Sequence, residues 1–194
     1  MNSIYKAVSG LLFFVVISTL PLVSYAAAYP KSANDFAMLP PYCKVKLKSG
    51  SNTSQYKSWQ ARLRGFGHVH HYCAALHTVK LADRELDRNK RKWLLQSTIS
   101  DFEYMQQHAP NTQLMPEILT QKGKVLLRLE RSGEAIIALQ KAVELKQDYV
   151  PAYIAIADYY ISLGDRKSAR EIVNQGLKFS PNSKGLKRRL DKLS

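Results

Sequence analysis

The chain has 194 residues, with 29 Lys and Arg against 15 Asp and Glu, and a formal net charge of +14. Its two cysteines, Cys43 and Cys73, belong to neither a C-x-x-C nor a C-x-x-C-H motif, which removes covalent haem attachment and thioredoxin-like redox chemistry. The basic excess is uneven, 13 against 4 over residues 29–92 and 5 against 1 over 184–194, a balance that favours anionic surfaces.

Residues 1–28 read as a secretory signal peptide. Lys6 is the one charge near the start, an apolar run extends from Leu11 to Leu22, and the small residues Ser24, Ala26, Ala27 and Ala28 follow. Cleavage is expected after Ala26 or Ala28. The run is shorter than the roughly 20 residues of a spanning helix, and no later segment is apolar enough to span. The processed protein is therefore expected in the periplasm or outside the cell, and not as an integral membrane protein. The remaining 166 of the 194 residues suffice for one domain with a real core.

Residues 29–57 form a basic arm rich in Pro, Ser, Lys and Asn, predicted to be irregular. Pro40–Pro41 forbids a helix through that point, and Lys48–Ser54 reads as a flexible loop. An even, low cysteine count in an oxidising compartment predicts one disulfide, Cys43 to Cys73. From Ser58 the apolar residues recur at helical steps: Trp59, Leu63, Phe66, Val69, Cys73 and Leu76 mark one amphipathic helix. A charged stretch, Asp83–Lys92, leads to a second helix over Lys92–His108 with Trp93, Leu94, Ile99, Phe102 and Met105 on its buried stripe. Ala109-Pro110-Asn111 ends it.

Residues 116–149 and 150–183 are two gapless units of 34. Ala135 matches Ala169, Leu139 matches Val173, Leu119 matches Tyr153, Leu126 matches Tyr160, and Leu145 matches Phe179. Each unit reads as helix, turn, helix. Leu163-Gly164-Asp165 is the turn of the second unit, with Asp165 as N-cap, and Ser132-Gly133 is the corresponding turn of the first. Pro116 and Pro151 stand at helix starts, and Pro181-Asn182-Ser183 closes the second unit.

These residues resemble the tetratricopeptide repeat family. The second unit supplies Tyr153, Ile156-Ala157, Tyr160, Ala169, Val173, Gly176 and Pro181. The first supplies Leu119, Gly123, Leu126, Ala135, Leu139 and Ala142, with Gln147 in place of the closing proline. The resemblance implies an all-α helical-hairpin solenoid. It has two clear repeats, a degenerate pair over 58–115 that supplies the third unit such an array needs, and a capping helix over 184–194. The segments Pro40-Pro41-Tyr42-Cys43 and His68-Val69-His70-His71-Tyr72-Cys73 look like the opening of some exported bacterial repeat proteins.

If the resemblance holds, the first helix of each repeat lines a groove that binds a partner. The candidate groove residues are Glu117, Thr120, Lys124 and Arg128, then Ile154, Asp158, Ile161 and Ser162. This mixed set departs from the Lys/Asn arrangement with which some tetratricopeptide domains hold a C-terminal carboxylate, and better suits a helix or extended peptide.

The sharpest chemical candidate is the cluster His68, His70, His71 and His77 around Cys73. One helical face offers at most Cys73 with one or two histidines, short of the three or four ligands of a zinc or copper site, so packing and hydrogen bonding are the expected roles. Trp59, Arg62, Arg64 and Phe66 fit nucleic-acid binding only loosely, and no nucleic acid is expected. There is no G-x-S-x-G, H-E-x-x-H or glycine-rich phosphate loop, so no enzyme activity and no cofactor are expected. The sequence thus predicts an exported protein-interaction module, an adaptor or assembly factor in a cell-envelope complex. A metal- or haem-binding accessory protein and a binder of anionic polysaccharide stand as alternatives.

Overall fold

A computed structural model describes residues 28–193. The expected signal peptide therefore lies outside the described residues apart from Ala28. The described chain forms α1 (Ala33–Ala37), α2 (Pro41–Lys48), α3 (Ser54–Arg62), α4 (Val69–Arg84), α5 (Arg88–Ser97), α6 (Ile99–His108), α7 (Met115–Arg128), α8 (Ser132–Leu145), α9 (Val150–Ser162), α10 (Arg166–Phe179) and α11 (Lys184–Lys192), with no strand among the described residues. No described helix is long and apolar enough to cross a membrane.

The two 34-residue units are the helix pairs α7–α8 and α9–α10. Ala135 and Ala169 are both fully buried, as are Leu139 and Val173, so matching positions in the register fill matching places. The pairs approach so closely that a Cβ on Gly123 would stand 2.6 Å from Leu139 Cγ. Each first helix ends in the same left-handed cap. The Glu130 amide donates to Leu127 C=O (3.1 Å) and the Arg131 amide to Leu126 C=O (2.9 Å). One repeat later, the Gly164 amide donates to Ile161 C=O (3.0 Å) and the Asp165 amide to Tyr160 C=O (3.0 Å). Asp165 also caps α10, its carboxylate accepting from the Ser168 amide at 3.0 Å. The turn of the first unit is thus built on Glu130 (φ 63°), at the position where the second has Gly164 (φ 74°). Ser132 and Gly133, expected to make that turn, open α8 instead.

The region before the repeats is more broken than its periodicity suggests. The helix expected from Ser58 onward stops at Arg62 and resumes at Val69. Between them Gly65 adopts φ +74°, and a Cβ there would meet Ala109 Cβ at 2.6 Å. The helix expected over Lys92–His108 starts earlier, on an Asp87 N-cap, and breaks at Thr98. There the Ser97 and Thr98 hydroxyls donate to Leu94 C=O and Leu95 C=O, both at 2.8 Å, and compete with the helical ladder. α4 still pairs with α5 and α6 as the hairpin before the repeats.

The basic arm is not irregular. It contains α1, closed by a Ser32–Asp35 capping box, and α2, which starts at Pro41 where a missing amide costs nothing. Only residues 49–53 stay as the expected loop, and α3 follows with Thr53 as its cap. The Cys43 and Cys73 sulfurs lie at bonding distance, 2.03 Å, joining α2 to α4. The arm, α4–α8 and Ala152 share one apolar cluster, whereas Tyr153, Ala157, Ala169, Val173, Leu186 and Leu193 form a second one beneath α11.

A non-glycine residue in the left-handed region costs about 1 kcal/mol. Glu130→Gly is therefore expected to raise the melting temperature by about 2–4 °C, and Gly164→Ala to lower it, both read by circular dichroism. An unchanged or lower midpoint for Glu130→Gly would show that the carboxylate side chain outweighs the backbone strain.

Candidate functional site

The first helices stand side by side in the row α4, α7, α9, α11, cross-linked by polar contacts. Tyr72 of α4 donates its hydroxyl to Glu117 of α7 at 2.8 Å. Arg128 of α7 pairs with Asp83 of α4 at 2.8 Å. Arg189 of α11 clasps both carboxylate oxygens of Asp158 on α9, each at 2.6 Å.

Across this row runs a charged stripe with one residue from each helix: Lys80, Lys124, Asp158 and Arg189. Lys124 is its centre. The half-buried ammonium is held below the usual lysine range, first by burial and then by Arg189 and Lys80, while Asp158 pulls the other way. Three cations face one carboxylate, so the stripe keeps a positive surplus. Beside it, Asp158, Ile161, Arg188, Arg189 and Lys192 line a cleft of about 280 Å³.

Of the eight predicted groove residues, Lys124, Asp158 and Ile161 meet here. Glu117 turns to the α4 side, where it faces Tyr42, Tyr72 and Tyr149. Burial and then this carboxylate push the Tyr149 hydroxyl up to about 12. Thr120 is buried, its hydroxyl donating to Pro116 C=O at 2.8 Å. Arg128 is committed to Asp83. Ile154 is half-buried against Gly185 of α11. Ser162 is exposed, and its hydroxyl donates to Tyr159 C=O at 2.6 Å. Lys80, Arg188, Arg189 and Lys192 were not among the predicted set. Extending the 34-residue register would have found part of it, since Arg188 stands where Thr120 and Ile154 stand in the units before, and Lys192 where Lys124 and Asp158 do.

The histidines do something else. His68, His70 and His71 gather with His108 around Tyr104. The His71 ring stacks on Tyr104 with centroids 3.7 Å apart, and His108 lies 4.1 Å away on the same residue. Each imidazole has its own partner: His68 Nδ1 meets Tyr104 Oη at 3.1 Å, His70 Nδ1 meets Gly67 C=O at 3.2 Å, and His71 Nδ1 meets Asp101 at 2.5 Å. His77 binds Ala28 C=O at 2.8 Å, its Nε2 standing 3.4 Å from Asp35. Among the described residues no three His, Cys, Asp or Glu converge as metal ligands. Cys73 stands at bonding distance from Cys43.

His70 is held below the ordinary imidazole range, mainly by burial, then by His71, Lys46 and His68, while the Gly67 carbonyl favours the proton. The fold thus prefers the neutral ring. That stability is complete above the unfolded value near 6.5 and is lost as pH falls from there toward the depressed folded value. Asp101 is pushed upward by burial against the pull of His71. The melting temperature is expected to fall as pH drops below about 6.5, and less steeply in His70→Gln. Parallel profiles for the two proteins would remove His70 as the cause.

Residues 116–149 and 150–183 each match the family described as tetratricopeptide repeat. The chain is 30% identical over 70 residues to the Hsp70-Hsp90 organizing protein of Triticum aestivum, a match that covers 36% of this chain and 12% of that protein. The chain thus spans about an eighth of that relative's length. Among solved structures it is similar to the first tetratricopeptide domain of Spaghetti (RPAP3) bound to the HSP90 peptide SRMEEVD, with a TM-score of 0.45 and 18% identity over 61% of this chain and 91% of that one.

Proposed function

We propose that this chain, which carries two tetratricopeptide repeats, is a protein-binding module whose docking face is the row α4, α7, α9, α11. The observation that carries the reading is the charged stripe. Lys80, Lys124, Asp158 and Arg189 come from four separate helices, with Arg189 clasping Asp158 and all three neighbours acting on the Lys124 charge. Burial of the Lys124 ammonium costs folding free energy that Asp158 offsets only in part, and an anionic partner group laid across the row would relieve it. The likeness to a chaperone-organizing protein supports a protein as the class of partner. The partner contributes an extended or helical segment with acidic groups, and the exposed edge of Ile161 supplies an apolar contact beside them.

The module works in the cell envelope, as an adaptor or assembly factor. Two features support this placement. Residues 1–28 have the order of a signal peptide: one charge, an apolar run, small residues. Cys43 and Cys73 stand at bonding distance, and a disulfide there persists only in an oxidising compartment.

A photo-crosslinking residue at position 124 is expected to capture a partner from envelope extract, whereas one at exposed position 137 on α8 captures none. Equal capture at both positions, or capture only at 137, would move the docking face off the row. For the disulfide, alkylation of denatured, unreduced protein is expected to find no free thiol. Two free thiols would remove both the bond and this support for export.

A further inference from the structure

A cleft of about 670 Å³ opens between α2 and α3 and shares no residue with the charged stripe. Its lining combines an apolar part, Pro41, Val45 and Trp59, with three cations, Lys44, Lys48 and Arg62, and contains no acidic residue. The cations are exposed, whereas Val45 and Trp59 are half-buried. Among the described residues none of the three cations is ion-paired with a carboxylate. Two of them lie over aromatic rings: the Arg62 guanidinium 4.8 Å from Trp59 and the Lys48 ammonium 5.5 Å from Phe36. Tyr42 meets Trp59 edge-on at 5.7 Å and holds the indole in the cleft. The one carboxylate between residues 28 and 64, Asp35, is occupied by the Ser32 cap and the Lys31 amide.

α3 itself is anomalous. None of its nine residues is buried. A nine-residue helix has little stability of its own, and this one rests on half-buried Tyr56 and Trp59 alone. Its cleft-facing side thus has apolar surface and uncompensated charge available together, the combination that a ligand with both characters would cover.

We infer that the α2–α3 cleft is a second docking site, which takes a short acidic peptide segment carrying one large apolar side chain. The carboxylates of the segment meet Lys44, Lys48 and Arg62, and the apolar group enters between Val45 and Trp59. Charge decides against a second copy of the chain, because a protein of net charge +14 repels itself and has few carboxylates to offer. Shape decides against a lipid surface. Membrane-seated helices project their apolar groups outward, whereas here these groups line a recess and the exposed residues of α3 include Gln55, Ser58 and Gln60.

The test uses the processed chain and a fluorescein-labelled peptide of about eight residues, glutamates around a central phenylalanine. Anisotropy titration is expected to show binding that weakens about tenfold or more in Lys44→Glu/Arg62→Glu. Lys178→Glu, exposed on α10 and outside both docking faces, leaves it unchanged. A second peptide with serine in place of the phenylalanine is expected to bind several-fold more weakly to the unaltered protein, a comparison that does not depend on any variant folding. Equal binding of the two peptides would reduce the site to bulk charge and overturn the proposal. So would undiminished binding by the folded double variant, or binding to phosphatidylglycerol vesicles with none to the peptide. Loss of peptide binding in Lys124→Glu alone would assign the peptide to the repeat row instead.

Discussion

The architecture depends on how closely its helices can approach. At the crossing within the first repeat, Gly123 faces Leu139 and Ala135. In the second, Gly176 faces Tyr153 and Leu186, and any Cβ would stand within 3 Å of a neighbouring side chain. Ala142 and Ala157 occupy the corresponding sites of the other repeat and are fully buried. Small residues set the separation of the axes, and the large ones, Leu119, Leu126, Tyr153 and Val173, fill what remains. Helix separation then fixes where the row α4, α7, α9, α11 can bring its side chains together. Lys124 and Asp158 are neighbours because two repeats of equal length stack in register, not because either seeks the other.

This constraint explains what the sequence made legible. A 34-residue period of small and large residues is visible by eye, and it located both repeats, the Asp165 cap and the stripe residues Lys124 and Asp158. It did not locate the partners of those residues. Tyr72 lies 45 positions before Glu117, and Arg189 lies 31 positions after Asp158; such pairings follow from the stacking of units, which no local pattern records. The breaks at Gly65 and Thr98 were missed for a different reason. Apolar periodicity runs through both points, and the deciding events are a left-handed glycine against Ala109 and two hydroxyls turned back on carbonyls. Burial of Thr120 was invisible because a threonine that satisfies itself on Pro116 looks the same in sequence as one that faces a ligand.

The histidines gather into a packed cluster. Four imidazoles surround Tyr104, and each meets a polar partner of its own or stacks on that ring. What the arrangement does provide is a seam between α4 and α6 made of flat rings, which tolerates close contact while leaving the hairpin its polar edge.

The division of the apolar interior has a further consequence. The arm and α4–α8 share one cluster, in which Cys43 and Cys73 stand at bonding distance, while most of the second repeat and α11 have their own. Ala152 of α9 reaches into the first cluster, and Leu139, Ala155 and Ile156, with partly buried Val143, form a small third cluster between the two. In a linear stack each unit is stabilised by itself and by its neighbours, so unequal coupling gives the array a polarity. Such polarity favours opening from the C-terminal end, where α11 could detach and take Arg189 from Asp158 while the larger cluster stays packed. A pulling force applied to the last residues would therefore dismantle the charged stripe well before it reached the arm.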